Sequence, residues 1–235
     1  MALTLYLAMT GSEIAQTDPL PAHFAWMACH FSPLGPGLSD LPQTMPEGAM
    51  LILNDRLTCR GHSPDLIAGQ LKEAVTQWRC ESLLLDFQRP PEPESMSVVK
   101  SIVKALPCSV AVSDSYARDL DCPIFLAPGP LHIPLAEYLR PWQGREIWLE
   151  AALCQETLSL TEKGTSVTHH FPTDKLTGGF FDEHLCCHYR TEVKEKEVRF
   201  TLFDTWESLR QKLERAQSFG VARAVGLFQE LGGKN

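Results

Sequence analysis

Short runs of apolar residues alternate with helical or loop segments along the first two thirds of the chain. Each run is continuous rather than alternating, which is typical of parallel strands that are buried on both faces. The runs are residues 3–9, 24–32, 50–54, 83–85, 109–112, 124–127 and 147–149. Seven such strands before residue 155 favour a closed barrel over an open sheet of five or six strands.

Three segments have the residue spacing of helices. Ser63 and Pro64 are expected to begin one helix, with Ser63 as its cap. Residues 96–106 carry apolar side chains at helical intervals and predict a second helix. Asp204 is expected to cap a third helix, with Glu207 in the reciprocal position of a capping box.

Residues 156–203 have a different pattern, with two polar hairpins that turn at Lys163-Gly164 and at the charged residues 194–196. Hairpins join antiparallel strands, so this pattern predicts an antiparallel insertion late in the barrel. A last strand is expected at 224–228. The sequence therefore predicts an α/β fold, a compact (β/α)8 TIM-type barrel in one domain over residues 1–235, with an antiparallel insertion at 156–203.

Composition narrows the functional classes. Among the 235 residues, 44% are hydrophobic and 21% are charged, which excludes a disordered chain. The net charge of −8 argues against a nucleic-acid partner, and no apolar run is long enough to span a membrane. The first residues lack the basic segment of a signal peptide, so we expect a cytoplasmic protein. The eight cysteines include no C-x-x-C pair and are expected to be free thiols.

Chemistry in a parallel α/β barrel takes place at the carboxyl ends of its strands. Polar side chains that end an apolar run are therefore the candidate site residues. They are His30, Asn54, Asp55, Asp86, Gln88, Ser113, Asp114, Glu150, Gln229 and Glu230. Tyr6, in the first strand, is expected to line the same pocket. There is no G-x-G-x-x-G and no phosphate-binding loop, so no cofactor is expected, and no metal site either.

Residues 80–90 resemble the fourth-strand motif D-x-x-D-x-D-x-E of glycoside hydrolase family 18, the chitinase-like (β/α)8 barrels. Asp86 stands at the third Asp of that motif and Gln88 at its Glu. Glu81 and Leu84 take the first two Asp positions. The M-x-Y-D segment of the family's sixth strand is missing, and residues 123–132 occupy that place.

The carboxyl-terminal part, residues 197–233, is similar to the end of the same family, especially its spore-cortex-lytic branch. Matching residues are Ser208-Leu209, Lys212-Leu213, Ala216, Gly220 and Leu231-Gly232. Phe228 lies near the place of the family's barrel-floor Trp, which makes it a candidate substrate-binding residue. The two similar segments together cover about 50 residues.

The resemblance implies a substrate-assisted glycosidase in which the motif Glu protonates the glycosidic oxygen. The Asp two residues earlier orients the 2-acetamido group of the sugar, whose oxygen attacks the anomeric carbon. Gln88 is an amide and has no proton to donate at neutral pH. We therefore expect a catalytically impaired protein that binds an oligosaccharide of N-acetylglucosamine type, or a cell-wall fragment, through Asp86 and Gln88.

Two alternatives remain open. One is an active glycosidase that uses Asp86 together with a relocated acid such as Glu150, a carboxyl group whose pKa burial would raise. The other is a barrel outside the glycosidases that serves as an interaction module. The sequence leaves the oligomeric state undetermined.

Overall fold

The computed structural model describes residues 3–170, 176 and 178–232, so residues 171–175 and 177 of the predicted insertion lie outside the described part. Numbered in chain order, the strands are β1 Thr4–Met9, β2 Phe24–Phe31, β3 Leu38–Ser39, β4 Met50–Asn54, β5 Ser82–Asp86, β6 Ser109–Ser113, β7 Ile124–Leu126, β8 Ile147–Glu150, β9 Gln155–Thr161, β10 Gly164–His170, β11 Phe180–Asp182, β12 Cys187–Lys194, β13 Glu197–Phe203 and β14 Val221–Leu227. The helices are α1 Gly11–Gln16, α2 Pro64–Gln77, α3 Pro93–Ala105, α4 Asp114–Ala117, α5 Leu135–Leu139, α6 Trp206–Ser218 and α7 Phe228–Leu231. A 3₁₀ turn at Arg140–Trp142 follows α5.

Eight parallel strands form a closed barrel, which confirms the predicted fold class. Around the ring they follow the order β1, β2, β4, β5, β6, β7, β8 and β14, and pairing of β14 with β1 completes the circle. The short strand β3 pairs antiparallel with β2 outside the ring. The seven apolar runs and the last strand predicted from the sequence all correspond to barrel strands, and their ends agree within three residues.

Each barrel strand is buried on both faces, which explains the continuous apolar runs. Residues such as Leu51, Leu83 and Ile147 point outward and form the core between the strands and the helices. Their neighbours point into the lumen, where Leu84 and Trp148 belong to a second apolar cluster. Because successive side chains of a strand alternate between faces, a strand with two apolar surroundings needs apolar residues at every position.

The helical layer is uneven. Helices α2 and α3 are long and amphipathic, whereas α1, α4, α5 and α7 span only four to six residues. Ser63 is the N-cap residue of α2 as predicted, but its side chain makes no capping hydrogen bond.

In the described residues, no helix is long and apolar enough to cross a membrane.

The predicted cap of α6 is wrong by one residue. Thr205, not Asp204, is the N-cap, and its reciprocal partner is Ser208 rather than Glu207. The Asp204 carboxylate instead accepts hydrogen bonds from the Ser208 hydroxyl at 3.0 Å and from the Lys212 ammonium at 2.7 Å. Because the Asp204 carboxylate is engaged with these two partners, the hydroxyl of Thr205 caps the helix instead.

Charged and aromatic side chains close the amino-terminal end of the barrel. Arg223 pairs with Glu81 at 2.9 Å and with Glu146 at 3.3 Å, and its guanidinium lies 4.7 Å from the centre of the Trp148 ring. The Trp148 indole donates to Glu146 at 2.7 Å. Because these contacts cover the amino-terminal end, we expect a ligand to approach the lumen from the carboxyl ends of the strands.

The predicted insertion is a separate five-stranded antiparallel sheet with the order β10, β9, β13, β12, β11. It packs on the loop after β7 through a small cluster around Leu131, Cys187 and Leu202. The buried carboxylate of Glu156 adds a polar link, since it contacts His132 in that loop at 2.7 Å. The sheet is therefore fixed to the end of the barrel at which the strands terminate.

Candidate functional site

The carboxyl ends of the strands surround a pocket of about 670 Å³, which we call the mouth pocket. Its apolar base includes Leu84, Phe125 and Val225 from the barrel lumen. Its polar wall consists of Thr10, Asn54, Asp55, Arg56, Asp86, Gln88, Arg89 and Glu150. An apolar base with a few convergent polar groups is the usual form of a small-ligand site.

Asp86 and Gln88 lie together in this pocket. Asp86 is the last residue of β5, and its Oδ1 accepts a hydrogen bond from Nε2 of Gln88 at 2.5 Å. Burial raises the pKa of Asp86, and the hydrogen bond from Gln88 partly opposes that effect. The pair can offer a sugar both acceptors and a donor, but Gln88 has no acidic proton.

Asp55 fixes the position of Gln88. Its buried carboxylate accepts hydrogen bonds from the backbone N–H groups of Gln88 and Arg89, both at 2.9 Å. Asn54 has a similar internal role, because its amide donates to the backbone carbonyls of Met27 and Cys29 in β2. Both residues therefore shape the mouth pocket by holding neighbouring backbone in place.

Glu150 ends β8 and belongs to the same pocket. Burial raises its pKa to about 7, with smaller contributions from the negative charges of Asp86 and Glu230. A carboxyl group with such a pKa is partly protonated near neutral pH and can donate a proton.

The structure separates the other predicted residues from this group. His30 lies behind the rim, with Nε2 3.2 Å from the Arg56 guanidinium. Tyr6 is fully buried in the lumen and faces Glu81 at the closed end; burial raises its pKa, with further raising from the neighbouring Glu81.

Two further predicted residues lie outside the pocket. Asp114 is exposed at the start of α4, where it accepts a hydrogen bond from the N–H of Ser115. Phe228 was predicted as the last residue of the final strand, but β14 ends at Leu227 and Phe228 is the first residue of α7. Its side chain packs against the cluster of Met9, Phe24 and Ala49.

Two arginines of the pocket were missed by the sequence reasoning. Arg56 follows the predicted strand-end pair Asn54-Asp55, and Arg89 follows Gln88 directly. Because both arginines directly follow predicted site residues, the sequence could have indicated that they line the pocket. Within the parts of the chain that the structure describes, no group of three His, Cys, Asp or Glu side chains is placed to hold a metal ion.

Comparison with known proteins gives a similarity of fold. No family model and no curated protein matches the sequence. Among solved structures, the spore cortex-lytic enzyme SleL of Bacillus cereus aligns with a TM-score of 0.54 and 10% identity, over 96% of this chain and 70% of that one. The SleL of Bacillus megaterium QM B1551 aligns with a TM-score of 0.53 and 10% identity, over the same shares of the two chains. YdhD of Bacillus subtilis, described as a sporulation-specific glycosylase, aligns with a TM-score of 0.51 and 11% identity, over 85% of this chain and 90% of that one.

Proposed function

We propose that this chain is a divergent barrel of the glycoside hydrolase family 18 type that binds a carbohydrate and has lost most of its hydrolytic activity. The ligand is an oligosaccharide of N-acetylglucosamine type or a cell-wall fragment, held in the mouth pocket. The observation that carries the proposal is the placement of Gln88, which lies in that pocket beside Asp86. This is the position that the family motif gives to its proton donor.

The chemistry of the two side chains explains the predicted impairment. Cleavage of a glycosidic bond requires a proton on the leaving oxygen while the acetamido oxygen of the substrate attacks the anomeric carbon. In the proposed site Asp86 would orient the acetamido group, but the Gln88 amide cannot release the proton. Loss of general acid catalysis lowers a rate by about 10²–10⁴-fold.

Binding is supported independently of catalysis. The mouth pocket has room for at least one sugar ring, and its apolar base and hydrogen-bonding wall suit the two kinds of surface that a sugar presents. The similarity of fold to a spore cortex-lytic enzyme and to a described glycosylase favours a carbohydrate over other small ligands.

Replacement of Gln88 by Glu tests this proposal. We expect Gln88→Glu to hydrolyse chitooligosaccharides or cortical muropeptides at a rate at least about 10²-fold above wild type, because the acid is restored beside Asp86. Product formation is measured by chromatography, and Gln88→Asn is the matched control. Folding of both variants is checked by circular dichroism. Binding of neither substrate by wild type or by Gln88→Glu would refute the proposal and favour an interaction module.

A second candidate function is an active glycosidase whose acid is Glu150. It is favoured by the raised pKa of Glu150, about 7, in the same pocket as Asp86. Glu150 would protonate the leaving oxygen, and water would then open the intermediate formed by the acetamido group. Measurable hydrolysis by wild type that disappears in Glu150→Gln supports this candidate. Hydrolysis that appears only with Gln88→Glu argues against it.

A further inference from the structure

Arg56 is a cation at the mouth pocket whose charge is not used to hold the fold together. In the described residues, no carboxylate forms an ion pair with its guanidinium. The other arginine of the pocket, Arg89, is engaged in structure: its Nε donates to the backbone oxygen of Asp55 at 2.9 Å, and its Nη2 donates to that of Arg56 at 3.0 Å. Arg56 is exposed and therefore accessible to a ligand.

A buried histidine sets the direction of the Arg56 side chain. Nδ1 of His30 lies 2.9 Å from the carbonyl oxygen of Ala28, and a carbonyl can only accept, so this nitrogen carries the proton. A guanidinium can only donate, so Nε2 of His30 accepts a hydrogen bond from Nη2 of Arg56 at 3.2 Å. The Asp40 carboxylate lies 3.6 Å from the protonated nitrogen and is consistent with the same assignment.

The order of strands gives the mouth pocket two different walls. Arg56 follows β4, and β4 stands opposite β8 in the ring of eight strands. Glu150, at the end of β8, is therefore on the far wall from Arg56. An anionic group bound at Arg56 is therefore distant from Glu150, while the Asp86 carboxylate at the end of the adjacent strand β5 already accepts a hydrogen bond from Gln88.

We propose that Arg56, oriented by His30, is a binding subsite for an anionic substituent of the sugar, so that the mouth pocket prefers acidic amino sugars over neutral ones. The inference rests on the proposed function and specifies its ligand class. One of the five N–H donors of Arg56 is used by His30, and the remaining ones can form two parallel hydrogen bonds with a carboxylate. The lactyl carboxylate of a muramic acid residue is such a group.

Two probes that differ in the charge of one group, and otherwise only by a methyl group, test the inference. Isothermal titration measures binding of the disaccharide of N-acetylglucosamine and N-acetylmuramic acid, and of its neutral methyl ester. We expect wild type to bind the acid about tenfold more tightly than the ester, because a charge-assisted bidentate contact is lost in the ester. N-acetylglucosamine 6-phosphate, compared with N-acetylglucosamine, shows whether a phosphate can replace the carboxylate.

Three variants complete the experiment. Arg56→Gln is expected to lower the ratio of acid to ester affinity from about ten to about one. His30→Asn is expected to reduce the ratio of acid to ester affinity by a smaller factor than Arg56→Gln does, as fits a positioning residue. Arg60→Gln is the matched control, because Arg60 is an exposed arginine on the same loop that pairs with Glu92 outside the mouth pocket.

The outcomes separate this inference from the proposed function. Equal affinity of wild type for acid and ester overturns the inference and leaves carbohydrate binding standing. An Arg56→Gln variant that weakens both probes equally also overturns it, because the side chain then acts without regard to the charge of the ligand. Binding of neither probe by wild type overturns both proposals.

Discussion

Two carboxyl groups of the mouth pocket, Asp86 and Glu150, lie in surroundings that disfavour their charged forms. Burial is the main cause of the raised pKa of both groups, and nearby carboxylates raise each pKa further. A folded protein that holds an acid in this way binds its proton more tightly than the unfolded chain does. Ionisation of such a group therefore lowers the stability of the fold.

The pH dependence of stability tests this account of Glu150. Its pKa rises from 4.5 to about 7 on folding. The contribution of Glu150 to the free energy of unfolding is therefore fully present below about pH 4.5 and is lost as the pH rises through 7. Glu150→Gln should raise the free energy of unfolding by about 1–3 kcal/mol relative to wild type at pH 8, allowing for partial exposure, with little gain at pH 4.5. Urea unfolding at both pH values measures the difference.

The control for this measurement is Glu137→Gln, a change at an exposed position in α5. It should leave the stability within about 0.5 kcal/mol of wild type at both pH values. A stabilisation by Glu150→Gln of the same size at pH 4.5 and pH 8 would contradict the raised pKa.

The sequence was a good guide to which residues lie in the mouth pocket. It was a poor guide to the contacts and pKa shifts of those residues. Asn54, Asp86 and Glu150 were identifiable because polar residues at the ends of buried parallel strands converge at one end of a barrel. The contact between His30 and Arg56 could not be predicted, since it joins a side chain of β2 to one in the loop after β4 through a particular histidine tautomer. The direction of a pKa shift likewise depends on burial that only the folded structure defines.

At the level of elements, two helix caps that look alike in the sequence differ in the structure. Thr205 accepts a hydrogen bond from the Ser208 N–H at 3.2 Å, whereas the Ser63 side chain makes no capping contact. The sequence rule identified the start of α2 correctly because Pro64 fixes it. It misplaced the start of α6 because Asp204 has stronger partners in Ser208 and Lys212.

The two caps should therefore respond differently to the same substitution. Thr205→Ala is expected to lower the free energy of unfolding by about 1 kcal/mol, because a backbone N–H loses its acceptor. Ser63→Ala should lower it by only about a few tenths of a kcal/mol, and Thr205→Ser should remain close to wild type. Urea unfolding of the three variants measures these values, and an equal loss for Ser63→Ala and Thr205→Ala would disagree with the structure.

At the level of the whole molecule, Glu156 links the barrel to the inserted sheet. Its buried carboxylate contacts His132 of the loop after β7 at 2.7 Å and His169 of β10 at 3.0 Å. The prediction that residues 1–235 form one domain depends on how firmly such contacts join the two sheets. The apolar cluster at this junction is small, so we expect the polar link to contribute to the attachment, together with the hydrogen bond from Arg215 of α6 to the Glu183 backbone oxygen.

Hydrogen exchange can measure that attachment. Glu156→Gln should speed exchange in β9, β10 and the loop around His132, because the amide replaces a charged acceptor and weakens the link by about 1–3 kcal/mol. Strands β4 and β5 should keep their protection, and Glu162→Gln in the exposed β9–β10 turn is the control. Equal acceleration in all of these strands would indicate that barrel and sheet unfold as one cooperative unit.

Closure of the ring has a consequence for biosynthesis. Tyr6 in β1 pairs with Val225 in β14, near the opposite end of the chain. During translation, β1 leaves the ribosome long before β14 exists, and its apolar edge remains without one of its two neighbours. Contacts of such long sequence separation form slowly. We therefore expect nascent chains to depend on chaperones until the last strand has been synthesised.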